Sequence, residues 1–380
     1  MLYRRFPKIS SLEISALGLG CMRLPTIGGD ASTIDEAAAT AMLADAVSAG
    51  VNYVDTAWPY HGQKSEPWLG RAVEDLGVRD RVHLATKAPS WLVREAGDWE
   101  TFLSEQLSRL RTDRVDFYLV HALNRARWKN ALQTGGLEFL AKAKADGRIG
   151  HVGFSFHDAF DSFKEIVDGW DGWEFCQVQY NYLDEDYQAG GAGLRYAAGR
   201  DLGVIVMEPL RGGALARVPE GIRTIFAKYP TPRMPAEWAL RHALDRQEVV
   251  TVLSGMGRSE ELWENAGVAS SARPNAVTKA ERALLDEARD WFLSRTAVPC
   301  TACGYCKPCP SGVDIPAAFG LWNEATMFGA LEASRRQYES GLKASGSGAE
   351  ACADCGACVP KCPQGIDIPA RLAEALAALS

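Results

Sequence analysis

Short runs of apolar, β-branched residues recur between residues 14 and 270, and longer amphipathic stretches separate them. The first pattern is that of a strand buried on both faces; the second is that of a helix with one face turned to a core. The predicted strands are Ile14–Leu19, Val51–Val54, Val82–Ala85, Val115–Leu119, Ile149–Gly153, Phe175–Val178, Gly203–Val206 and Val249–Leu253. The predicted helices are Thr33–Ala49, Ser65–Leu76, Trp99–Leu110, Gly136–Asp146, Ala159–Val167, Gly193–Arg200, Pro235–Asp245 and Ser259–Ala266, several of them closed by a glycine such as Gly50, Gly77 or Gly147. Strand–helix alternation implies a parallel sheet, and eight repeats predict an α/β chain folded as a closed (β/α)8 TIM barrel. Residues 1–13 alternate and suit a hairpin on the barrel floor. An open doubly wound sheet is the runner-up, with Gly18-Leu19-Gly20 as its nucleotide turn. Arg23, however, stands where the third glycine of that motif belongs.

Past residue 270 the alternation stops, and a helical pattern over Thr278–Phe292 leads into a cysteine-rich tail. Eight of the ten cysteines lie there, as Cys300, Cys303, Cys306, Cys309-Pro310 and as Cys352, Cys355, Cys358, Cys362-Pro363. Three thiolates at this spacing can hold three irons of a [4Fe–4S] cube, and the fourth, followed by Pro, reaches the other cube when two runs fold together. The first run is one residue shorter before its fourth cysteine, so which thiolate meets which cube stays open. Zinc also uses paired Cys-x2-Cys and is the alternative; the crowding and the Cys-Pro endings favour two cubes. Both runs continue into Asp-Ile-Pro, at 314–316 and 367–369, where Asp caps a helix and Pro needs no donor. Gly341–Gly348 reads as a loose loop. The domains predicted are a barrel over residues 1–275 and a small helical, ferredoxin-like iron–sulfur domain over 276–380.

Composition narrows the partners. A net charge of −7, with 47% hydrophobic and 23% charged residues, gives no electrostatic reason to expect nucleic acid or an anionic membrane. No signal-peptide pattern opens the chain, and no apolar run reaches the roughly 20 residues of a membrane span. A cytoplasmic protein with reduced thiols follows as the expectation. Cys21 and Cys176, alone in apolar settings, read as small buried hydrophobes.

Candidate chemistry lies at the ends of successive strands: Asp55 and Tyr60 after the second, Lys87 after the third, His121 after the fourth. In a barrel that face carries catalysis. Around these residues stand Leu17-Gly18-Leu19-Gly20-Cys21-Met22-Arg23-Leu24-Pro25, Asp55-Thr56-Ala57, Tyr60-His61-Gly62, Ser65-Glu66, Gln177-Val178-Gln179-Tyr180-Asn181, Glu208-Pro209-Leu210-Arg211-Gly212-Gly213, Leu253-Ser254-Gly255-Met256 and Glu264-Asn265. Over essentially its whole length the chain resembles the aldo-keto reductase superfamily, in the branch with a C-terminal ferredoxin-like 4Fe-4S domain.

The resemblance implies an oxidoreductase that interconverts a carbonyl (aldehyde, ketone or sugar) and an alcohol by hydride transfer with NAD or NADP. Tyr60 would be the general acid, Lys87 would lower its pKa, Asp55 would hold Lys87, and His121 would orient the substrate oxygen. Ser155 and Gln177 would hold the carboxamide and Met22 the nicotinamide ribose. Leu210, Gly212 and Gly213 would follow the pyrophosphate, and Asn265 the adenine. Three departures accompany this. Met207 stands where an aromatic ring commonly stacks, and Phe156 follows Ser155 in place of Asn. Gly255, Met256 and Glu261 replace the Lys, Ser and Arg that hold a 2′-phosphate, with Arg258 the nearby cation; NAD is therefore slightly favoured. Trp58, Trp91, Trp128 and His157 are expected to line the mouth. Cubes move one electron and nicotinamide two. Two other readings therefore stand beside the reductase: an electron relay to a redox partner or flavin, and a non-catalytic nicotinamide-binding sensor.

Overall fold

The computed structural model describes residues 1–302 and 304–380, Ser10 by its backbone alone. Two compact units emerge, one of residues 1–216 with 236–278, the other of 217–235 with 279–380.

The first unit begins with an antiparallel hairpin, β1 (Tyr3–Phe6) and β2 (Ile9–Ser15). Eight parallel strands follow: β3 (Leu17–Gly20), β4 (Tyr53–Asp55), β5 (His83–Ala88), β6 (Val115–Leu123), β7 (Ile149–Phe156), β8 (Phe175–Gln179), β9 (Gly203–Met207) and β10 (Val249–Ser254). They close in the order β10-β3-β4-β5-β6-β7-β8-β9. Strands such as β3, β4 and β10 are buried at every residue, because helices cover them outside and side chains fill the barrel inside. Ile14–Leu19, expected as one strand, divides at Ala16. Its first part completes the hairpin and Leu17–Gly20 enters the barrel.

The hairpin plugs the floor. Phe6 is fully buried against Phe117 and Phe175, with ring centres 5.5 and 5.8 Å apart. That approach requires Gly203, since a Cβ there would lie 1.8 Å from Phe6 Cδ1. With the floor sealed, only the strand C-termini are left to open a site.

Helices cover the barrel, and one, Arg125–Gln133, was not expected. Its sequence Arg-Ala-Arg-Trp-Lys-Asn-Ala-Leu-Gln is too polar to show a periodic face, and it buries only Trp128 and Ala131.

In the second unit the helices Lys279–Leu293, Ile315–Phe328, Leu331–Gln337 and Ile368–Leu379 carry the cysteine loops, and Glu220–Phe226 packs with them. Asp314 and Asp367 each accept from the backbone N–H three residues on, capping the two helices that open Ile-Pro. Gly341–Gly348 is more ordered than expected. Tyr338–Lys343 forms a π-helical turn, and the buried Tyr338 hydroxyl accepts from Ala349 N at 2.6 Å while bonding Glu350. Among the described residues no helix is long and apolar enough to cross a membrane.

Candidate functional site

Asp55 closes β4, Lys87 lies one residue from the end of β5, and His121 two residues from the end of β6. Parallel pairing puts these three ends side by side. Lys87 Nζ donates to Asp55 Oδ2 at 2.6 Å and to the Thr56 carbonyl at 2.7 Å, in a pocket where both charged side chains are almost fully buried. Tyr60 comes from the turn after β4, with Lys87 Nζ 5.1 Å from its ring centre and the His121 ring 6.2 Å away at 82°. The structure thus brings all four residues together.

His61 fixes the turn that carries Tyr60. Its Nε2 accepts from Leu24 N at 3.2 Å, which leaves Nδ1 to donate to the Ala31 carbonyl at 2.6 Å. Beneath Lys87 lies a polar network the sequence did not reveal. Gln106 Nε2 faces Glu66 Oε1 (2.6 Å), Thr86 Oγ1 (3.0 Å) and the Lys87 carbonyl (3.1 Å), while Gln106 Oε1 accepts from Tyr118 at 2.9 Å. Burial pushes the Glu66 carboxyl up against the pull of these partners and of Arg109. Ser65-Glu66 was visible as a motif; Gln106, inside an amphipathic helix, carried no signal.

Charge states follow from burial. Burial disfavours the Lys87 ammonium, yet Asp55 and Tyr60 outweigh it and hold its pKa above the ordinary value. Burial also raises Asp55, against the pull of Lys87. Lys87 lowers the Tyr60 pKa as expected, yet the net shift is upward. Packing around the hydroxyl raises it, Lys87 offsets only part of that, and Asp55 adds to the rise. Burial, helped by Lys87, His157 and Arg127, drives His121 well below its ordinary value, so the imidazole is neutral.

On the next strands Ser155 and Gln177 face each other across β7 and β8. Ser155 Oγ accepts from Ala122 N at 2.7 Å and keeps its own proton to give. Gln177 Nε2 contacts Met207 Sδ at 3.8 Å, and its Oε1 is buried with no partner. A primary carboxamide would complement that pair, taking a proton from Ser155 and giving one to Gln177. Phe156 turns away into the core against Phe163. Met22 is exposed at the rim. Gly212 and Gly213 have φ of 67° and 93°, a left-handed turn in which Gly213 N donates to the Leu210 carbonyl at 2.9 Å. The Glu208 carboxylate already accepts from Gly212 N, so the turn does take an anion. Leu210 borders it, half-buried. Glu261 accepts from Gly257 N at 3.0 Å and pairs with Arg258 at 3.0 Å, and Asn265 is buried with its amide on Ser254 Oγ at 3.2 Å.

Of the expected mouth residues, Trp91 stands edge-on to His121 with ring centres 5.0 Å apart. His157 lies near Gln188, Glu208 and Arg127, and burial lowers its pKa. Trp58 instead packs between Phe102 and Arg109, and Trp128 is core, against Trp173.

In the tail the two cysteine runs interleave. Cys300, Cys306 and Cys362 line one space partly open to solvent, with Ile315, Phe319, Ile366 and Ile368 as its apolar wall. Around the other position, burial pushes the Cys358 thiol up, and Cys309, Cys352 and Cys355 add to the effect. Each group therefore joins one run's early cysteines to the other run's last. Among the described residues no three such side chains converge as ligands of a single ion; in a cube each thiolate meets its own iron, so the thiolates surround a volume. Cys303 lies outside the described residues.

Residues 16–280 match the model of the Aldo/keto reductase family, and residues 299–366 that of a 4Fe-4S dicluster domain. Among relatives, "Uncharacterized oxidoreductase YqkF" of Bacillus subtilis is 33% identical over 121 residues, 30% of this chain and 36% of the relative. "Aldo-keto reductase YhdN" of the same organism is 35% identical over 120 residues, 30% of this chain and 35% of the relative. The chain thus spans about a third of the length of the curated relatives it matches. Among solved structures, aldo-keto reductase AKR11C1 from Bacillus halodurans (holo form) is similar with a TM-score of 0.63 and 26% identity, over 76% of this chain and 96% of that one.

Proposed function

The chain belongs to the aldo/keto reductase family, and we propose that it interconverts a small carbonyl compound and an alcohol by hydride transfer with a nicotinamide dinucleotide, Tyr60 giving or taking the proton. The observation that carries this is the buried Lys87, charged between Asp55 and Tyr60, with neutral His121 edge-on to the phenol. The nicotinamide, when bound, supplies or accepts the hydride. Everything else falls to the chain. Ser155 and Gln177 would hold the carboxamide, Met22 the nicotinamide ribose and Met207 the nicotinamide ring; Leu210, Gly212 and Gly213 would follow the pyrophosphate, in place of the Glu208 carboxylate. His121 donates to the carbonyl oxygen and fixes its angle. Tyr60 then passes its hydroxyl proton to that oxygen as carbon receives the hydride, and Lys87 stabilises the phenolate until solvent restores the proton.

The environment of Glu261 supports NAD over NADP: it neutralises Arg258, the nearby cation, and would repel a 2′-phosphate while accepting from a 2′-hydroxyl. The backbone near Asn265 is the adenine end of this reading. The interleaved tail supports two [4Fe–4S] cubes, one on Cys300, Cys303, Cys306 and Cys362, the other on Cys352, Cys355, Cys358 and Cys309. Reduced thiols in that number suit a cytoplasmic setting. The exposure of Cys355 favours a second role, in which the tail over 276–380 exchanges single electrons with a redox partner while the barrel over 1–275 does the hydride chemistry.

The test is NADH and NADPH oxidation by anaerobically purified protein with aldehydes, ketones and oxidised sugars, beside Tyr60→Phe. Turnover that falls at least about 100-fold in the variant, the low end for general acid catalysis, supports the reading. Turnover that survives the substitution sinks it.

A further inference from the structure

Arg127 occupies the mouth, and among the described residues no carboxylate pairs with it. The side chain leaves the first turn of helix Arg125–Gln133, and its guanidinium carbon lies 5.5 Å from the Trp91 ring centre. The Trp91 ring in turn stands 5.0 Å from His121. One guanidinium nitrogen, Nη1, donates to the Ala122 carbonyl at 2.7 Å; no partner for the other nitrogens is found among the described residues. Ala122, beside His121, is held at a φ of 52°.

The surrounding charges are already paired. Arg125 is on Glu165 at 2.9 Å, Arg211 on Asp184 at 3.0 Å, and Arg23 reaches Glu208 at 3.5 Å. Lys87 is answered by Asp55. Burial leaves His121 and His157 uncharged. Among the described residues of the mouth, Arg127 is therefore a half-buried cation without a carboxylate partner, braced on an aromatic ring, whereas the exposed Arg94 donates to the Trp91 carbonyl at 3.0 Å. A planar guanidinium with free donors suits a carboxylate or a phosphate, and partial burial strengthens that pairing relative to water.

From this geometry we infer that Arg127, on its Trp91 platform, takes an anionic group of the substrate, so that the preferred carbonyl compounds carry a carboxylate or a phosphate a few bonds from the reacting carbon. The inference rests on the hydride-transfer reading and names the substrate class of that site. Arg127 acts here as a specificity residue; the proton and hydride steps are unchanged.

The experiment compares matched substrates under NADH and NADPH oxidation: 4-oxobutanoate against butanal, and glyceraldehyde 3-phosphate against glyceraldehyde. The proteins are wild type, Arg127→Gln and Arg127→Lys. Wild type should prefer at least one anionic member by tenfold or more, with the preference shrinking as salt rises. Whichever pair shows it identifies carboxylate or phosphate. Arg127→Gln should lower kcat/KM for that member about 100-fold, mostly through KM, and change the neutral partner less than about threefold, while Arg127→Lys falls between. Equal losses on charged and neutral substrates would mean that Arg127 only braces the Ala122 turn, and would overturn the inference; so would a wild type without preference. Absence of turnover with every compound defeats the hydride-transfer reading instead. In that case, titration with succinate or inorganic phosphate, followed by tryptophan fluorescence, decides the anion site. Saturable quenching lost in Arg127→Gln upholds it, and no quenching in wild type overturns it.

Discussion

The two units order their functional groups by opposite means. In the barrel, Asp55, Lys87 and His121 sit on neighbouring hydrogen-bonded strands, over a floor sealed by Phe6, and the core draws on nearly every strand and helix. In the tail, the core cluster around the cysteines holds fourteen buried residues, four of them alanine, and the cysteines lie in irregular loops between short helices. A unit so thinly packed would gain much of its stability from an iron–sulfur group on its thiolates, because binding energy in a site absent from the unfolded chain is folding energy. The barrel orders its site by strand pairing, whereas the tail would rely on the iron–sulfur group of a 4Fe-4S domain.

The largest expected effect tests that contrast. Replacing Cys306 and Cys358 together by Ser removes one thiolate from each proposed cube. Residues 294–380 should become the first region cleaved by protease, and the tail's helical signal should fall, while the barrel keeps its own melting transition and its nicotinamide affinity within about threefold. Limited proteolysis with mass spectrometry and a binding titration on the full chain read both. If the barrel loses cofactor binding along with the clusters, the two units are not independent in the way described.

A smaller effect reports on the barrel alone. Gly203→Ala places a methyl where Phe6 already is, 1.8 Å from Cδ1, and overpacking of this kind costs about 1–3 kcal/mol. Thermal unfolding followed in the barrel should show that loss, and adding Phe6→Leu should recover part of it. Equal stability of Gly203→Ala and wild type would mean the hairpin does not seal the floor.

The same contrast explains what could be read from the residues. Buried parallel strands are continuous apolar runs, so their positions could be anticipated to within a few residues, and residue types at their ends pointed to Asp55, Tyr60, Lys87 and His121. The Cys-x2-Cys spacing likewise showed what the tail holds, but not how the runs interleave, because Cys362 meets Cys300 and Cys306 only through the tertiary packing of Ile315, Ile366 and Ile368. Partnerships across elements were equally hidden. Gln106 shares a buried helix face with Leu103 and Leu107, and nothing in that pattern reveals that it bonds Glu66, Thr86 and the Lys87 carbonyl. Trp128 followed a strand and so resembled a mouth residue, yet a helix with little amphipathic signal carries it inward.

The smallest expected effect is a flat line, and it follows from burial. Reduction requires Tyr60 to hold its proton. Its pKa is raised above the ordinary 10 because burial outweighs Lys87, so the protonated form dominates throughout pH 6–9. His121 is held well below 6.5 by burial and by Lys87, His157 and Arg127, so it stays neutral over the same interval. Lys87 is raised by Asp55 and Tyr60 against its burial and remains charged. None of the three changes protonation between pH 6 and 9, and kcat/KM for reduction of a neutral aldehyde should vary less than about threefold there, falling only on the alkaline side as Tyr60 ionises. The reverse reaction needs the phenolate, so alcohol oxidation should climb with pH across the same interval, by up to tenfold per unit where chemistry limits the rate. A reduction profile that breaks near pH 7 would place a solvent-accessible titrating group in the step, and the preorganised, burial-controlled barrel site would no longer contrast with the ligand-dependent tail.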